Sequence, residues 1–220
     1  MINEREVFIL IYLDNAATTK AFEEVLYTYL KVNQSMYVNP NSPHKAGLQA
    51  NQLLQQAKAQ INDMVNTNMT YDVVFTSGAT ESNNIALKGV AYRKFDTARE
   101  IITSVLEHPS VLEVVRYLEE REGFKVKYVD VTKDGTIDLQ HFNDLMSDKV
   151  GLVTCMYVNN VTGQIQPIPK MAETLKNYPK AHFHVDAVQA FGKVAMDLTN
   201  VDSISLSGHK FNGLKGQGVL

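Results

Sequence analysis

The stretch Val150-Gly151-Leu152-Val153-Thr154-Cys155-Met156-Tyr157 is apolar at nearly every position. A half-buried strand alternates apolar and polar residues, whereas a continuous apolar run is expected where both faces of a sheet are covered. Strands covered on both faces occur mostly in parallel sheets, whose connections are helices. This stretch therefore predicts an α/β domain with a mainly parallel sheet.

Strand-like and helix-like segments alternate on both sides of this run. The other strand-like runs are Ile9–Leu13, Asp72–Thr76, Glu100–Ser104, Val126–Val129, Ala181–Val185 and Ser203–Ser207. Apolar residues recur every three or four positions, as in amphipathic helices, over Ala21–Lys31, Leu48–Val65, Glu81–Lys94, Ser110–Glu120, Leu139–Met146 and Pro169–Asn177. The pattern predicts an open seven-stranded sheet covered by helices. Residues 216–220 resemble the start of a further strand, so we expect an N-terminal fragment of a longer protein.

Composition limits the possible classes of function. The chain has 220 residues, 45% of them apolar, and a net charge of −3 with both signs scattered. No basic stripe is present, so direct binding to nucleic acid or to an anionic membrane is not expected. The apolar run Val7–Ile11 follows acidic residues and suits neither a signal peptide nor a membrane span, so a cytoplasmic location is expected. Cys155 is the only cysteine, which excludes an internal disulfide and a multi-cysteine zinc site, and no metal site is predicted.

The turn Ser77–Thr80 is the first of several candidate ligand-binding segments at strand ends. Ligands of open parallel sheets bind outside the carboxyl ends of the strands. This turn leads into the helix predicted from Glu81, whose free amides and dipole would attract an anion, and Thr80 adds a hydroxyl. An ordinary glycine turn before a helix is the alternative.

His108, Asp186 and Gln189 also follow strand-like runs. His108 could stack on an aromatic ring and relay protons, or it could only bond a neighbouring group at the start of a helix. Asp186 could pair with a cationic ring nitrogen, and Gln189 could reach an oxygen of the same ring. The alternatives are a helix N-cap for Asp186 and a surface amide for Gln189.

Lys210 lies in Ser207-Gly208-His209-Lys210, among small and hydrogen-bonding residues. Burial would lower its pKa toward neutrality, as imine formation requires, although most lysines are solvated charges. Ser207 and His209 would then face a phosphate. A pyridoxal-phosphate site needs a lysine, an acid for the pyridinium nitrogen and amides for the phosphate. The coincidence of these strand-end groups predicts such a site, which no single motif does alone.

Eight segments, taken in order, resemble cysteine desulfurases of the NifS/IscS type. They are Tyr12–Thr19, Asn39–His44, Phe75–Asn84, Glu107–Val111, Val158–Asn160, Gln166–Ile168, His184–Gln189 and Ser207–Phe211. The resemblance runs from Tyr12 to Leu220, and the neighbourhood of His108 favours this branch over the SufS-like one. It implies the class V aminotransferase family and the aspartate aminotransferase-like fold, fold type I. Residues 1–20 would be an N-terminal arm or small-domain segment and residues 21–220 the large cofactor-binding domain, with the C-terminal small domain absent.

The resemblance also implies roles for individual residues. Lys210 would be the Schiff-base lysine, and His108 would stack on the ring and share the catalytic role. Asp186 would contact the pyridine nitrogen. The other implied cofactor-binding residues are Ala79, Thr80, Ser207 and His209 at the phosphate, and Asn160 and Gln189 at the ring hydroxyl. Asn159 is a rival to Asn160.

The implied reaction removes sulfur from L-cysteine, giving L-alanine and a persulfide on a protein cysteine. In the family this cysteine, and the arginine that binds the substrate carboxylate, lie beyond the lysine motif, so neither is assigned here. Cys155 is expected to be a packed, unreactive thiol. Val161, where relatives commonly have an acidic residue, and Leu214, where they commonly have proline, depart from the family pattern and could alter loops near the site.

The resemblance implies that the sulfur is passed on to iron–sulfur clusters or to thiolated tRNA. The expected partners are L-cysteine, a second copy of the chain in a homodimer, and a sulfur-acceptor protein. Three alternatives remain open: a class V aminotransferase, a selenocysteine lyase, and an inactive fragment that only binds pyridoxal phosphate or dimerises. The fragment alone is expected to be inactive.

Overall fold

Helices and strands alternate from Lys45 to Asp186 in the computed structural model, which describes residues 11–65 and 70–220. The helices are α1 (Glu23–Ser35), α2 (Lys45–Val65), α3 (Ala79–Lys94), α4 (Pro109–Glu122), α5 (Leu139–Leu145) and α6 (Ile168–Leu175). The strands are β1 (Phe75–Thr76), β2 (Glu100–Ser104), β3 (Lys125–Val129), β4 (Val150–Met156), β5 (His182–Asp186), β6 (Ser203–Ser207) and β7 (Gly218–Val219). A single 3-10 turn, Gly208–Lys210, follows β6.

These strands form one sheet in the order β1-β7-β6-β5-β4-β2-β3. The strands from β6 to β3 pair in parallel, and β7 pairs antiparallel with both β1 and β6. The predicted α/β class with a mainly parallel sheet is confirmed. The division of the chain into an arm, residues 1–20, and a large domain, residues 21–220, stays a prediction, and residues 1–10 lie outside the described part of the chain.

The identity of one strand was predicted wrongly. Of the run Ile9–Leu13, residues 9 and 10 lie outside the described residues, and residues 11–13 form no strand. The seventh strand is instead β7, within the C-terminal segment that was expected to begin a strand. β1 is shorter than predicted, although Val74 and Leu220 exchange two backbone hydrogen bonds of 2.7 and 2.9 Å beside it.

Both faces of the sheet are covered, as the composition of β4 predicts. All seven residues of β4 are buried. Residues of β4, β5 and β6 pack on one face against α5 and α6, with Phe142, Ile168 and Phe183 fully buried. On the other face, α3 and α4 pack against β2 and β4 around Leu87 and Leu118. The sheet is thus the middle layer of three.

Local sequence signals set the ends of α4, which positions part of the cleft described below. Pro109 occupies its first turn, where a missing N–H costs nothing, and His108 is the N-cap. The helix ends at Gly123, whose φ of 73° lies in the left-handed region that glycine adopts without strain. His108 is therefore fixed at the start of a helix, four residues after the end of β2.

One face of β5 is polar, although the strand lies in the middle of the sheet. His182, His184 and Asp186 alternate along it with Phe183 and Val185. In the neighbouring strand β6, Ser203 lies opposite His184 and Ser205 opposite Asp186. This face lies toward α3. Buried polar groups need hydrogen-bond partners, so this region must be organised by specific contacts.

No helix within residues 11–65 and 70–220 is long and apolar enough to cross a membrane.

Candidate active site

A cleft of about 730 Å³ lies at the carboxyl ends of the parallel strands. The structure brings together here all nine site residues predicted from the sequence: Ala79, Thr80, His108, Asn160, Asp186, Gln189, Ser207, His209 and Lys210. They come from segments up to 131 residues apart in the chain, from Ala79 to Lys210. The convergence follows from the parallel sheet, since the carboxyl ends of its strands meet at one edge.

The N-terminus of α3 forms one end of the cleft. The first amides of a helix have no partner within the helix, so the N–H groups of Ala79 and Thr80 are available to an anion. The amide of Ser77 is already used, because it donates to Glu81 Oε2 at 2.6 Å, and this bond lowers the pKa of Glu81. Gly218 packs so closely on this turn that a Cβ there would lie 2.5 Å from Gly78 Cα. The sheet thus holds the turn in place.

Two lysines and a histidine lie at the same end. His209 and Lys215 line the cleft beside Lys210, together with the buried Ser207. Burial lowers the pKa of His209, and the nearby charges of Lys210 and Lys215 lower it further. His209 Nδ1 lies 3.0 Å from Thr18 Oγ1. Amides, hydroxyls and cations together suit an anionic group such as a phosphate.

Asp186 is 6% exposed and ends β5 at the floor of the cleft. Its Oδ1 accepts from the amide of Val188 at 3.1 Å, and its Oδ2 accepts from Asn83 Nδ2 at 3.0 Å. Burial raises the pKa of Asp186, and these two bonds with the charges of His108 and Lys210 oppose the rise. A buried carboxylate of this kind gains from a cationic partner in the cleft. The bond to Val188 closes a turn, so no helix N-cap is formed.

His108 contributes an imidazole to the cleft wall. Its Nδ1 accepts from the backbone amide of Ser110 at 3.1 Å and lies 2.9 Å from Ser110 Oγ. The helix-start bond that was the alternative to a site role therefore exists, yet it engages only Nδ1. Since Nδ1 is an acceptor, the proton of the neutral ring is on Nε2.

Lys210 contacts the N-terminal segment across the cleft. Its Nζ donates to the carbonyls of Ala16 at 2.7 Å and Ala17 at 2.9 Å. Burial lowers the pKa of Lys210, and the carboxylates of Asp14 and Asp186 oppose that decrease. The side chain is thus a partly buried amine with its ammonium held by two carbonyl oxygens. Lys210 is therefore partly buried and bonded to two backbone carbonyls, in contrast to the freely solvated lysine considered as the alternative.

Gln189 takes part in the same arrangement. Its Nε2 donates to the Ala16 carbonyl at 2.9 Å, and its Oε1 accepts from Lys193 Nζ at 2.8 Å. The Gln189 amide lines the cleft and is bonded to the segment of residues 12–19. It is therefore not an isolated surface group. The sequence alone did not reveal that Ala16 and Ala17 present carbonyl groups here.

Asn160 and Asn159 occupy different places. Asn160 lines the cleft, whereas Asn159 is buried behind it and holds the loop. Asn159 Oδ1 accepts from the amides of Val161 and Thr162, both at 2.9 Å. Only Asn160 is placed to meet a ligand in the cleft. Val161, one of the two departures from the family pattern, is 84% exposed.

Cys155 is packed inside the sheet, as predicted. It is 1% exposed, and burial together with the charges of Glu107 and Asp186 raises the pKa of its thiol. A thiol that stays protonated and shielded is a poor nucleophile.

Asn83 and Glu107 are buried polar residues near the cleft that the sequence did not single out. Asn83 is fully buried and contacts Asp186, and Glu107 is 4% exposed directly before His108. Both lie inside motifs that carry the family resemblance, and nothing else in the sequence indicated that they belong to the site.

A family model described as aminotransferase class-V matches residues 11–220. The cysteine desulfurase IscS of Pseudoalteromonas translucida is 43% identical over 215 residues, covering 96% of this chain and 52% of that protein. A solved NifS-like protein superposes with a TM-score of 0.89 at 38% identity, over 94% of this chain and 57% of the other. SspA, solved in complex with cysteine, gives a TM-score of 0.88 at 35% identity, over 94% and 60%. The chain spans about half the length of these relatives.

Proposed function

This chain belongs to the aminotransferase class-V family, and we propose that it is the cofactor-binding part of a pyridoxal-phosphate-dependent cysteine desulfurase. The observation that carries the proposal is the meeting of Lys210, Asp186, His108 and the α3 N-terminus in one cleft. The names of the similar proteins, IscS and NifS-like, support the choice of reaction.

The groups around the cleft fit pyridoxal phosphate at each of its functional positions. The phosphate would be held by the amides of Ala79 and Thr80, with Thr80, Ser207 and His209 adding side-chain contacts. Asp186 would pair with the pyridine nitrogen, and the ring of His108 would pack on the cofactor ring. Asn160 and Gln189 would contact the ring hydroxyl. Lys210 would supply the amine for the aldehyde carbon of the cofactor.

When bound, pyridoxal phosphate withdraws electrons from the substrate's α-carbon, which the protein alone does not do. The chain's own residues have narrower tasks. The carboxylate of Asp186 would stabilise a positive charge on the ring nitrogen. Lys210 Nζ, with a pKa lowered by burial, gives and takes protons more readily at neutral pH than a solvated lysine. His108 is a second proton carrier, through Nε2.

L-Cysteine is the proposed substrate, and the neighbour SspA was solved in complex with cysteine. The sulfur would pass to a thiolate, leaving L-alanine. Cys155, the chain's only cysteine, is buried and therefore does not serve as that acceptor. The reaction thus needs a thiol other than those of these 220 residues. A class V aminotransferase or a selenocysteine lyase is the second candidate, since neither reaction needs a protein thiol of this kind.

We also propose the context of this activity: a cytoplasmic homodimer that passes sulfur to an acceptor protein for iron–sulfur clusters or thiolated tRNA. The IscS name of a relative that matches 96% of this chain supports it. The scattered charge supports transfer through a protein partner and not direct contact with nucleic acid.

Reductive trapping tests the cofactor proposal. The purified chain is mixed with pyridoxal phosphate, reduced with borohydride, digested and mapped by mass spectrometry. We expect one stable adduct per chain, on Lys210. An adduct spread over several surface lysines would show that no specific site exists. Adding cysteine and a free thiol acceptor before reduction then separates desulfurase from aminotransferase, since only the former releases sulfide and alanine.

Replacing Asp186 should weaken cofactor retention. The Asp186→Asn variant keeps the size and the acceptor for Val188 but removes the charge, and Asp186→Ala also removes the contacts. A charge-assisted hydrogen bond contributes about 1.5–3 kcal/mol, so we expect Kd for pyridoxal phosphate to rise by about 10-fold to 100-fold. Asp144→Asn, on an exposed face of α5, is the control. Equal affinities and absorption spectra for Asp186→Asn and the unmodified chain would contradict this role.

A further inference from the structure

A continuous chain of hydrogen bonds runs behind the cleft and ends at Asp186, and its last two bonds are fully buried. His182 Nε2 lies 2.8 Å from Ser203 Oγ, which lies 2.8 Å from His184 Nδ1. His184 Nε2 lies 2.9 Å from Asn83 Oδ1, and Asn83 Nδ2 donates to Asp186 Oδ2 at 3.0 Å. His184 and Asn83 are both fully buried. The chain links the polar face of β5 to helix α3.

The chain of hydrogen bonds branches at Asn83. Its Nδ2 also donates to Ser110 Oγ at 2.9 Å, and Ser110 Oγ lies 2.9 Å from His108 Nδ1. Because Ser110 Oγ accepts from Asn83, its own O–H is free to donate to His108 Nδ1. One amide group therefore contacts Asp186 directly and His108 through a single hydroxyl.

The donors along this chain all point toward Asp186. Both N–H groups of Asn83 are used on Asp186 and Ser110, so Oδ1 must accept from His184 Nε2. Burial lowers the pKa of His184 to about 3, so its neutral ring has one proton, on Nε2. Nδ1 must then accept from Ser203, and Ser203 in turn accepts from His182. Hydrogen bonds aligned in this way polarise one another and strengthen the last one.

We propose that Asn83, oriented by His184, is a positioning residue that holds the Asp186 carboxylate ionised and directed into the cleft. Without the bond from His184, the Asn83 amide could rotate and present its oxygen to the Asp186 carboxylate, which would be repulsive. The buried Asp186 depends on few donors, so each one has a large effect. The importance of Asn83 for catalysis rests on the proposed function. Its effect on the ionisation of Asp186 does not depend on that function.

The pKa of Asp186 in the cofactor-free chain is the direct measurement. It is followed by carbon NMR of the carboxyl group in chain labelled at aspartate, with Asp186→Asn used to assign the signal. The other ionisable groups that act on Asp186 are His108 and Lys210 in the cleft and Glu107 and Cys155 beneath it. They are unchanged in the variants, so differences in pKa report on the hydrogen-bond chain.

We expect Asn83→Leu, which has a similar volume and no donor, to raise the pKa of Asp186 by about one unit or more. His184→Leu should raise it as well, and His184→Gln, which keeps an N–H donor, should restore part of the difference. Asn84→Ala, the neighbouring residue on α3, which is only partly buried and donates to the Thr80 carbonyl, should have no effect. Nitrogen NMR should show the single proton of His184 on Nε2.

Unchanged pKa values for Asp186 in folded Asn83→Leu and His184→Leu would overturn the proposal, as would a His184 proton on Nδ1. If Asn83→Leu fails to fold, the comparison of His184→Leu with His184→Gln decides, and equal values contradict the proposal. Failure of the trapping experiment would instead count against the proposed function, because these measurements need no cofactor.

Discussion

Lys210→Ala should abolish covalent trapping of pyridoxal phosphate. Alanine has no amine, and reductive trapping needs a lysine Nζ within reach of the aldehyde. The phosphate contacts at α3, Ser207 and His209 would remain. We therefore expect the variant to bind pyridoxal phosphate noncovalently, so that dialysis removes it. Mass spectrometry after borohydride reduction should show complete loss of the adduct found in the unmodified chain.

Two further variants make this result specific. Lys210→Arg keeps a cation that can donate to the carbonyls of Ala16 and Ala17 but cannot form the adduct, so it separates the chemistry from the fold. Lys193→Ala removes a neighbouring lysine that bonds to Gln189 and should still be trapped at Lys210. Lys215 also lines the cleft. Full labelling of Lys215 or Lys193 in Lys210→Ala would show that the reactive lysine was assigned wrongly.

The sheet could be predicted because its signal is local. The apolar run of β4 fixes a strand that is buried on both faces, and this property alone favours a parallel sheet. The run Ile9–Leu13 misled because hydrophobicity does not by itself make a strand. Ile11 and Leu13 are 78% and 88% exposed, with no neighbouring strand in the described structure to pair with. β7, by contrast, contains a glycine and is a strand because β1 and β6 flank it.

The residues that line the cleft could be predicted from their position after strands, yet their supporting contacts could not. Asn83 meets His184 and Asp186, which are 101 and 103 residues away, so no local pattern encodes the contact. In the sequence, Asn83 lies beside a second asparagine and looks like a surface residue. Likewise, the bond between Lys210 and Ala16 spans 194 residues. Partners of buried polar groups are set by the tertiary fold.

Glu107→Gln should stabilise the chain at alkaline pH. Glu107 Oε1 accepts from Ser104 Oγ at 3.0 Å and from the Met156 amide at 2.9 Å, while Oε2 has no hydrogen-bond partner among the described residues. Burial, with the charge of Asp186, raises the pKa of Glu107 from 4.5 to about 8. Glutamine keeps the acceptor oxygen and replaces the ionisable one with an uncharged amide, so it removes the cost of burying a charge.

The pH dependence gives this prediction its sign. Between pH 4.5 and about 8 the folded chain holds a proton on Glu107 that the unfolded chain has lost, so the free energy of unfolding falls as pH rises. The shift corresponds to about 5 kcal/mol across that interval. Below pH 6.5 the lowered pKa of His184 makes the free energy of unfolding fall as pH decreases, equally in the variant and the unmodified chain.

Urea unfolding at several pH values should therefore give Glu107→Gln and the unmodified chain equal free energies of unfolding near pH 5. Near pH 9 the value for Glu107→Gln should be larger by several kcal/mol. Glu120→Gln, on the exposed face of α4, should show no such divergence, and parallel stability curves for Glu107→Gln would mean that Glu107 is ionised in the folded chain at neutral pH.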